Sequence, residues 1–193
     1  MPPPTDPDIL LHEARYLRLK RRGRWEYAER TNATSAVIIV AVTPEDKVLF
    51  VEQFRVPVGA PSIEMPAGLV GDHGDVESME AAAQRELLEE TGWHADHFEY
   101  LMEGPSSSGM SNEIIGFVRA HGLRRVHAGG GDETESITVH EIPRPQAALW
   151  LDGKRREGYS IDPKLYAGLY FIDHNPDGSP VPGTATEQVE QPA

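Results

Sequence analysis

The chain has 193 residues, 39% of them hydrophobic and 25% charged, with a formal net charge of −13 at pH 7. This balance fits one soluble globular domain and neither a disordered nor a membrane-embedded chain, and the longest apolar run, 36–42, is about a third of a bilayer span. Cysteine is absent, which rules out disulfides and thiolate chemistry, and the acidic excess disfavours the phosphate backbone of nucleic acid as a partner.

In chain order, the proline-rich residues 1–7 have little to bury and are expected to be mobile. Without the charged and apolar regions of a signal peptide, the N-terminus points to the cytoplasm. Residues 16–19 and 25–29 flank a turn-forming Arg22-Gly23-Arg24 and predict a β-hairpin, with Arg18, Lys20, Arg21, Arg22 and Arg24 as its solvated face. The β-branched runs 35–43 and 47–52, separated by Pro44-Glu45-Asp46, predict a second hairpin whose first strand is buried. A Gly/Pro-rich segment follows. The one strong helix is expected to start near Asp75 or Ser78, either of which caps free N–H groups, with acidic Glu77 and Glu80 at its positive end. Gly92 ends it as a left-handed C-cap. Strands are predicted at 98–102, 113–120 and 136–142, and helices at 145–158 and 162–171. Interleaved strands and helices predict an α/β (α+β) fold in which a mixed sheet lies between helices. The polar tail 175–193 is expected to be disordered, leaving 8–174 as a single domain.

The chemistry concentrates in Arg85-Glu86-Leu87-Leu88-Glu89-Glu90-Thr91-Gly92. On an α-helix Glu86, Glu89 and Glu90 are three and four positions apart, so their carboxylates are expected to converge in a narrow arc. Like charges so placed repel, and a hard divalent cation is the counter-charge that carboxylate oxygens suit. The bland alternative is a solvated acidic face. Arg85 can pair with a carboxylate such as Glu77 and brace the loop. The histidines are scattered, without the spaced pairing of a metal site.

Glu77, seven residues, then Arg85-Glu86-Leu87-x-Glu89-Glu90-x-Gly92-Trp93 resembles the Nudix box G-x5-E-x7-R-E-U-x-E-E-x-G-U, with U a bulky apolar residue and every fixed position filled. By count the box glycine is Gly71, whereas the family's usual glycine closes a Pro-Ala-Gly run, here Pro66-Ala67-Gly68. Either Gly71 takes that role or Gly68 does, with an insertion following; Gly68 is preferred. The resemblance spans about 16–170. Glu52-Gln53-Phe54-Arg55, Ile63-Glu64-Met65-Pro66-Ala67-Gly68 and Ser108-Gly109-Met110-Ser111-Asn112-Glu113 are similar to the branch that hydrolyses ADP-ribose and nucleoside diphosphate sugars.

The resemblance implies a Nudix fold and a pyrophosphohydrolase dependent on Mg²⁺, with Mn²⁺ as a substitute, that yields a nucleoside monophosphate and a sugar phosphate. Its metal ligands would be Glu86, Glu89, Glu90 and the carbonyl of Ala67, with Glu135 facing the metal or orienting its partner. Glu133, in the acidic loop after a glycine triplet expected to make it mobile, would be the general base, with Glu89 and Arg85 also catalytic. Arg55 suits a diphosphate because its planar fork makes two parallel bonds, and Glu64, Ser111 and Glu113 complete the substrate side. Trp25, Tyr27 and Phe54 are candidates to stack on a base, with core or interface as the alternative. A homodimer is implied, its interface including the hairpin 16–29. Rival readings are hydrolysis of dinucleoside polyphosphates or damaged nucleoside triphosphates, and a non-catalytic sensor of the same nucleotides.

Overall fold

The computed structural model describes residues 6–72, 77–131 and 136–182. Residues 1–5 and 183–193, most of the segments expected to be mobile, lie outside the described residues, as does Asp75.

Three strands, β1 (Ile9–Glu13), β2 (Leu17–Arg22) and β3 (Trp25–Arg30), form an antiparallel sheet in which the expected hairpin is extended by one strand at its β2 edge. Its basic run is largely neutralised by neighbours: Arg18 pairs with Glu13, Lys20 with Glu29 and Arg22 with Asp8.

Strand β4 (Ser35–Val40) is central. Alternation sends Ile38 and Val40 into one core with Phe50, Ile63, Leu151 and Phe171, and Val37 and Ile39 into a second with Leu49, Ala82, Ala83 and Leu87. A strand buried on both faces reads as the continuous apolar run seen in the sequence. Next come β5 (Lys47–Arg55), β6 (Ala60–Glu64) and β7 (Ala67–Val70). The second hairpin does not form as a ladder. Its tip is held by Thr43 N–H on Lys47 O and Leu49 N–H on Ala41 O, after which the two strands part into different sheets. Twist accumulates across a wide sheet until it splits, so each strand takes other partners.

Helix α1 (Met79–Glu86) begins at Ser78, whose hydroxyl accepts the Ala81 N–H. The strands β8 (Trp93–His94), β9 (His97–Pro105), β10 (Ile114–His121), β11 (Arg124–Arg125) and β12 (Thr138–Pro143) follow, then α2 (Ala147–Arg156), β13 (Ser160–Ile161) and α3 (Lys164–Asp173). The expected mixed sheet is present as two four-stranded sheets, β7-β4-β10-β9, with β4 and β10 parallel, and β12-β5-β6-β13, with β6 and β13 parallel, beside the N-terminal sheet and a short β11-β8 pair. Helix α2 packs on the second, where Trp150 stacks on Phe50 with ring centroids 5.7 Å apart. Residues 175–178, expected in the disordered tail, form a turn closed by Gly178 N–H on Asn175 O. Among the described residues no helix is long and apolar enough to cross a membrane.

Candidate active site

The two sheets and α1 enclose a cleft of about 330 Å³ lined by Glu86, Glu90, Ala67, Gly68 and Asp72 on one side and by Arg55, Glu64, Arg30, Glu113, Asp162 and Lys164 on the other.

The acidic wall begins where α1 changes pitch. The helix is α only to Glu86; Leu87–Thr91 form a single π turn, closed by Gly92 at φ +75°, whose N–H bonds to Leu88 O. Such widened turns are rare and recur at functional sites. They also change the angular step on which the expected convergence of Glu86, Glu89 and Glu90 rests. The three carboxylates are not gathered: Glu86 accepts Arg85 Nη1 at 2.7 Å, buried Glu90 accepts the Ala67 N–H at 3.0 Å, and the Glu89 side chain stands half-exposed, 3.6 Å from Arg85 Nη1. Among the described residues, no three His, Asp or Glu side chains stand close enough to ligate one ion. In this arrangement Glu86 and Glu89 share Arg85 Nη1 while Glu90 turns to the Ala67 N–H, so the expected convergence is not a close cluster here.

Arg85 ties the wall together. Its guanidinium donates to both oxygens of Glu77 at 3.1 and 3.2 Å, to Glu86 and to the carbonyl of Leu69 at 3.0 Å. Burial by itself would favour deprotonation of Arg85, but bonds from Glu77 and the charge of Glu86 raise its pKa instead. Glu86 is pushed up to about 6: burial is the main cause, Arg85 opposes it, and the charges of Glu89 and Asp72 add to it.

The two candidate glycines do different work. Gly71 lies at φ +81° and donates its N–H to Glu77 at 3.1 Å, which accounts for the five-residue spacing between them. Gly68 has no unusual φ, but a Cβ there would fall 1.9 Å from the Glu86 carboxylate, so its bare backbone is the floor on which Glu86 rests.

Opposite lies a wall of ion pairs. Arg55 on β5, opposite Ala60 in the ladder, reaches along β6 to Glu64, which lies opposite Val51, and binds it through Nε at 2.8 Å and Nη2 at 2.6 Å. Burial pushes Glu64 up, yet the two bonds and the charge of Arg55 outweigh it and hold the carboxyl below its usual value. The fork expected to hold a diphosphate is thus engaged with Glu64 in this state. Arg30, at the end of β3, pairs with Glu113, and Lys164 pairs with Asp162 at 2.6 Å.

Trp25, Tyr27 and Ser111, read as substrate contacts, line a neighbouring hollow of about 290 Å³ with Arg22 and Asn112, and Ser111 Oγ lies 3.2 Å from Oγ of Ser106, which lines the cleft. Phe54 is exposed. Glu133 and Glu135 lie outside the described residues. Before them, Gly129, Gly130 and Gly131 all have positive φ, Gly130 N–H bonds to Glu90 O at 2.8 Å and Gly131 N–H to Glu89 O at 3.1 Å. The triplet also serves close approach to the end of the π turn, a role the reading of a mobile loop did not include. The sequence reading assigned no role to Arg30, Asp72, Asp162 or Lys164. For Asp72 and Arg30 no local signal exists, since their partners are brought in by tertiary pairing.

This architecture is that of a known family: residues 32–157 match the NUDIX domain model, and the chain belongs to that family. It is 35% identical over 146 residues to the GDP-mannose pyrophosphatase of Yersinia enterocolitica, covering 71% of this chain and 74% of that protein. It is 34% identical over 134 residues to the methanol dehydrogenase activator of Bacillus methanolicus, covering 69% and 71% respectively. The crystal structure of an ADP compounds hydrolase superposes with a TM-score of 0.66 over 86% of this chain and 89% of that one; at 21% identity this likeness speaks for the fold.

Proposed function

We propose that the chain hydrolyses the diphosphate of a nucleoside diphosphate sugar, in the class of ADP-ribose and GDP-mannose, with Mg²⁺ as cofactor and Mn²⁺ as a substitute. Water attacks one phosphorus, the P–O–P bond breaks, and a nucleoside monophosphate and a sugar phosphate leave; ADP-ribose gives AMP and ribose 5-phosphate. The observation that carries this reading is one cleft lined both by Arg55 and by Glu86, a buried carboxylate crowded by Glu89 and Asp72. The GDP-mannose pyrophosphatase likeness supports the same substrate class.

The residues fit a hard divalent cation. Glu86 is desolvated among like charges, its bed on Gly68 leaves no room for even a methyl group, and the donor set is oxygen throughout. Glu86, Glu89, Glu90 and the Ala67 carbonyl would hold the ion, which when bound supplies neutralisation of developing phosphate charge and a lowered pKa for the attacking water. Arg85 fixes Glu86 against Glu77, and Arg55 takes a phosphate through its planar fork. Glu133 is nominated to take the proton of the water, with Glu135 beside it; Glu133→Gln is expected to lower turnover more than affinity.

The protein is proposed to work in the cytoplasm as a homodimer. The N-terminal sheet leaves Leu10, Tyr16, Leu17, Leu19 and Trp25 between 41% and 55% exposed, and a second subunit would cover them. Light scattering of the full chain and of a chain starting at Asn32 tests this: a monomeric full chain, or a truncated one still dimeric and active, removes the sheet from the interface. For the activity, ADP-ribose, GDP-mannose, UDP-glucose and ADP-glucose are incubated with Mg²⁺, and with chelator as control, and the monophosphate is measured. Binding without release of monophosphate would make the protein a sensor instead.

A further inference from the structure

Lys164 falls beyond the residues that match the family model, and nothing in the sequence singles it out. Its place follows from the sheet. β13 pairs parallel with β6 in the register Ile161↔Ile63, and Asp162 N–H donates to Ile63 O, which sets Asp162 beside Glu64 at the cleft. Asp162 then accepts both the backbone N–H of Lys164 at 3.0 Å and its ammonium at 2.6 Å.

The three ion pairs of this wall share one orientation. The carboxylates of Glu64, Asp162 and Glu113 are 11%, 15% and 19% exposed, whereas the side chains of Arg55, Lys164 and Arg30 are 41%, 40% and 38% exposed. In each pair the carboxylate is the more buried end and the cation the more exposed one, and all six residues line the cleft. Lys164 lines the same cleft as Arg55 and Arg30, and its charge is felt by both Glu64 and Glu113. It is also the first residue of α3, where the helix dipole disfavours a cation and favours an anion. A lysine kept there against that preference, with donors and no acceptor to offer, suits an anionic ligand better than a sugar hydroxyl.

We propose that Lys164, aimed by Asp162, is a second cation for the substrate's diphosphate and acts alongside Arg55. The inference rests on the function proposed above and deepens it. Lys164→Met, with Lys164→Gln as a second variant of similar reach, is compared with wild type in steady-state kinetics on ADP-ribose and GDP-mannose. In parallel, calorimetry measures the uncleavable nucleoside diphosphate α,β-methylene-ADP in Mg²⁺, and a thermal melt checks the fold. A lost charge-assisted bond is expected to raise KM about 10-fold for both substrates by the same factor, to leave kcat within about 3-fold, and to weaken the analogue about 10-fold, with Lys164→Arg recovering most of it. Unchanged KM and unchanged analogue affinity would reduce Lys164 to a partner of Asp162, and a loss confined to one substrate would make it a reader of the sugar; either overturns the proposal. A wild type that binds the analogue but cleaves neither sugar nucleotide would sink the proposed activity while leaving the Lys164 measurement intact.

Discussion

Glu86 and Glu64 face the same cleft, and burial raises the pKa of both, yet they end on opposite sides of the ordinary carboxylate value. Glu64 receives two bonds from the Arg55 guanidinium. Glu86 shares Arg85 with Glu77, Asp72 and the Leu69 carbonyl, and has Glu89 and Asp72 as like-charged neighbours. The difference teaches what each wall is for. One is charge-matched, each cation already held by a carboxylate; the other keeps a buried carboxylate among like charges that a divalent cation would relieve.

The largest effect that tests this contrast belongs to the acidic wall. Glu90→Gln keeps the shape and the hydrogen-bond acceptor for Ala67 N–H but removes the charge, and Glu89→Gln does the same at the exposed position. Either is expected to lower kcat by at least about 100-fold in saturating Mg²⁺ with an unchanged melting temperature. Near-normal turnover in both, with wild-type metal dependence, would break the assignment of the walls. A smaller loss follows from Gly68→Ala. The added methyl meets only the far end of a flexible side chain, so Glu86 swings away at small cost in stability, but a carboxylate displaced by about 1 Å is expected to lower kcat roughly 10- to 100-fold. If Gly68→Ala is as active as wild type, Glu86 does not need that floor.

The two walls also differed in how far they could be read in advance. The acidic wall comes from one stretch, so the Ser78 cap, the spacing of Arg85 from Glu77 and the closing Gly92 were all visible as local chemistry. What stayed hidden there was the π turn, since it is a choice of hydrogen bonding that the same residues could make either way. Strands β6 and β7 were hidden by glycine and proline, which read as loop until the ladder partners β5 and β4 supply bonds. The ion-pair wall needs long-range pairing: Glu113 meets Arg30 only because β3 touches the loop at Ser111, and Asp162 reaches Glu64 only through β13 on β6. Charge pattern along the chain carries no trace of such meetings.

The glycine triplet ranks next, as an effect on stability. At Gly129, φ is +75° and a Cβ would lie 2.4 Å from the Thr91 backbone carbon, which cannot rotate away; at Gly130 the nearest atom is 3.8 Å off. Both alanines carry positive-φ strain, at +75° and +123°, and Gly129→Ala adds a backbone clash, so it is expected to cost about 2 kcal/mol or more in urea unfolding, with Gly130→Ala costing less only by the clash it avoids. Equal and small costs would show that the strap on the π turn is dispensable.

The smallest expected effect concerns acid stability and belongs to the ion-pair wall. Glu64 and Glu113 both have folded pKa values held below the unfolded one, Glu64 against burial by Arg55 and Glu113 against burial by Arg30 and Ser106. A depressed carboxylate binds fewer protons folded than unfolded, so its contribution is complete above the unfolded value near 4.5 and is lost as pH falls through the lower folded value. Urea unfolding at pH 7, 5, 4 and 3 is expected to give a wild-type curve that is flat in this component down to about pH 5 and falls below it. Glu64→Gln removes one of the two titrating groups while keeping an acceptor for Arg55, so its deficit relative to wild type is expected to be largest at pH 7 and to shrink toward pH 3. Parallel curves for the two proteins over that range would mean that Arg55 and Glu64 form no stabilising pair in solution, and the contrast between a matched and an unmatched wall would lose its better-anchored half.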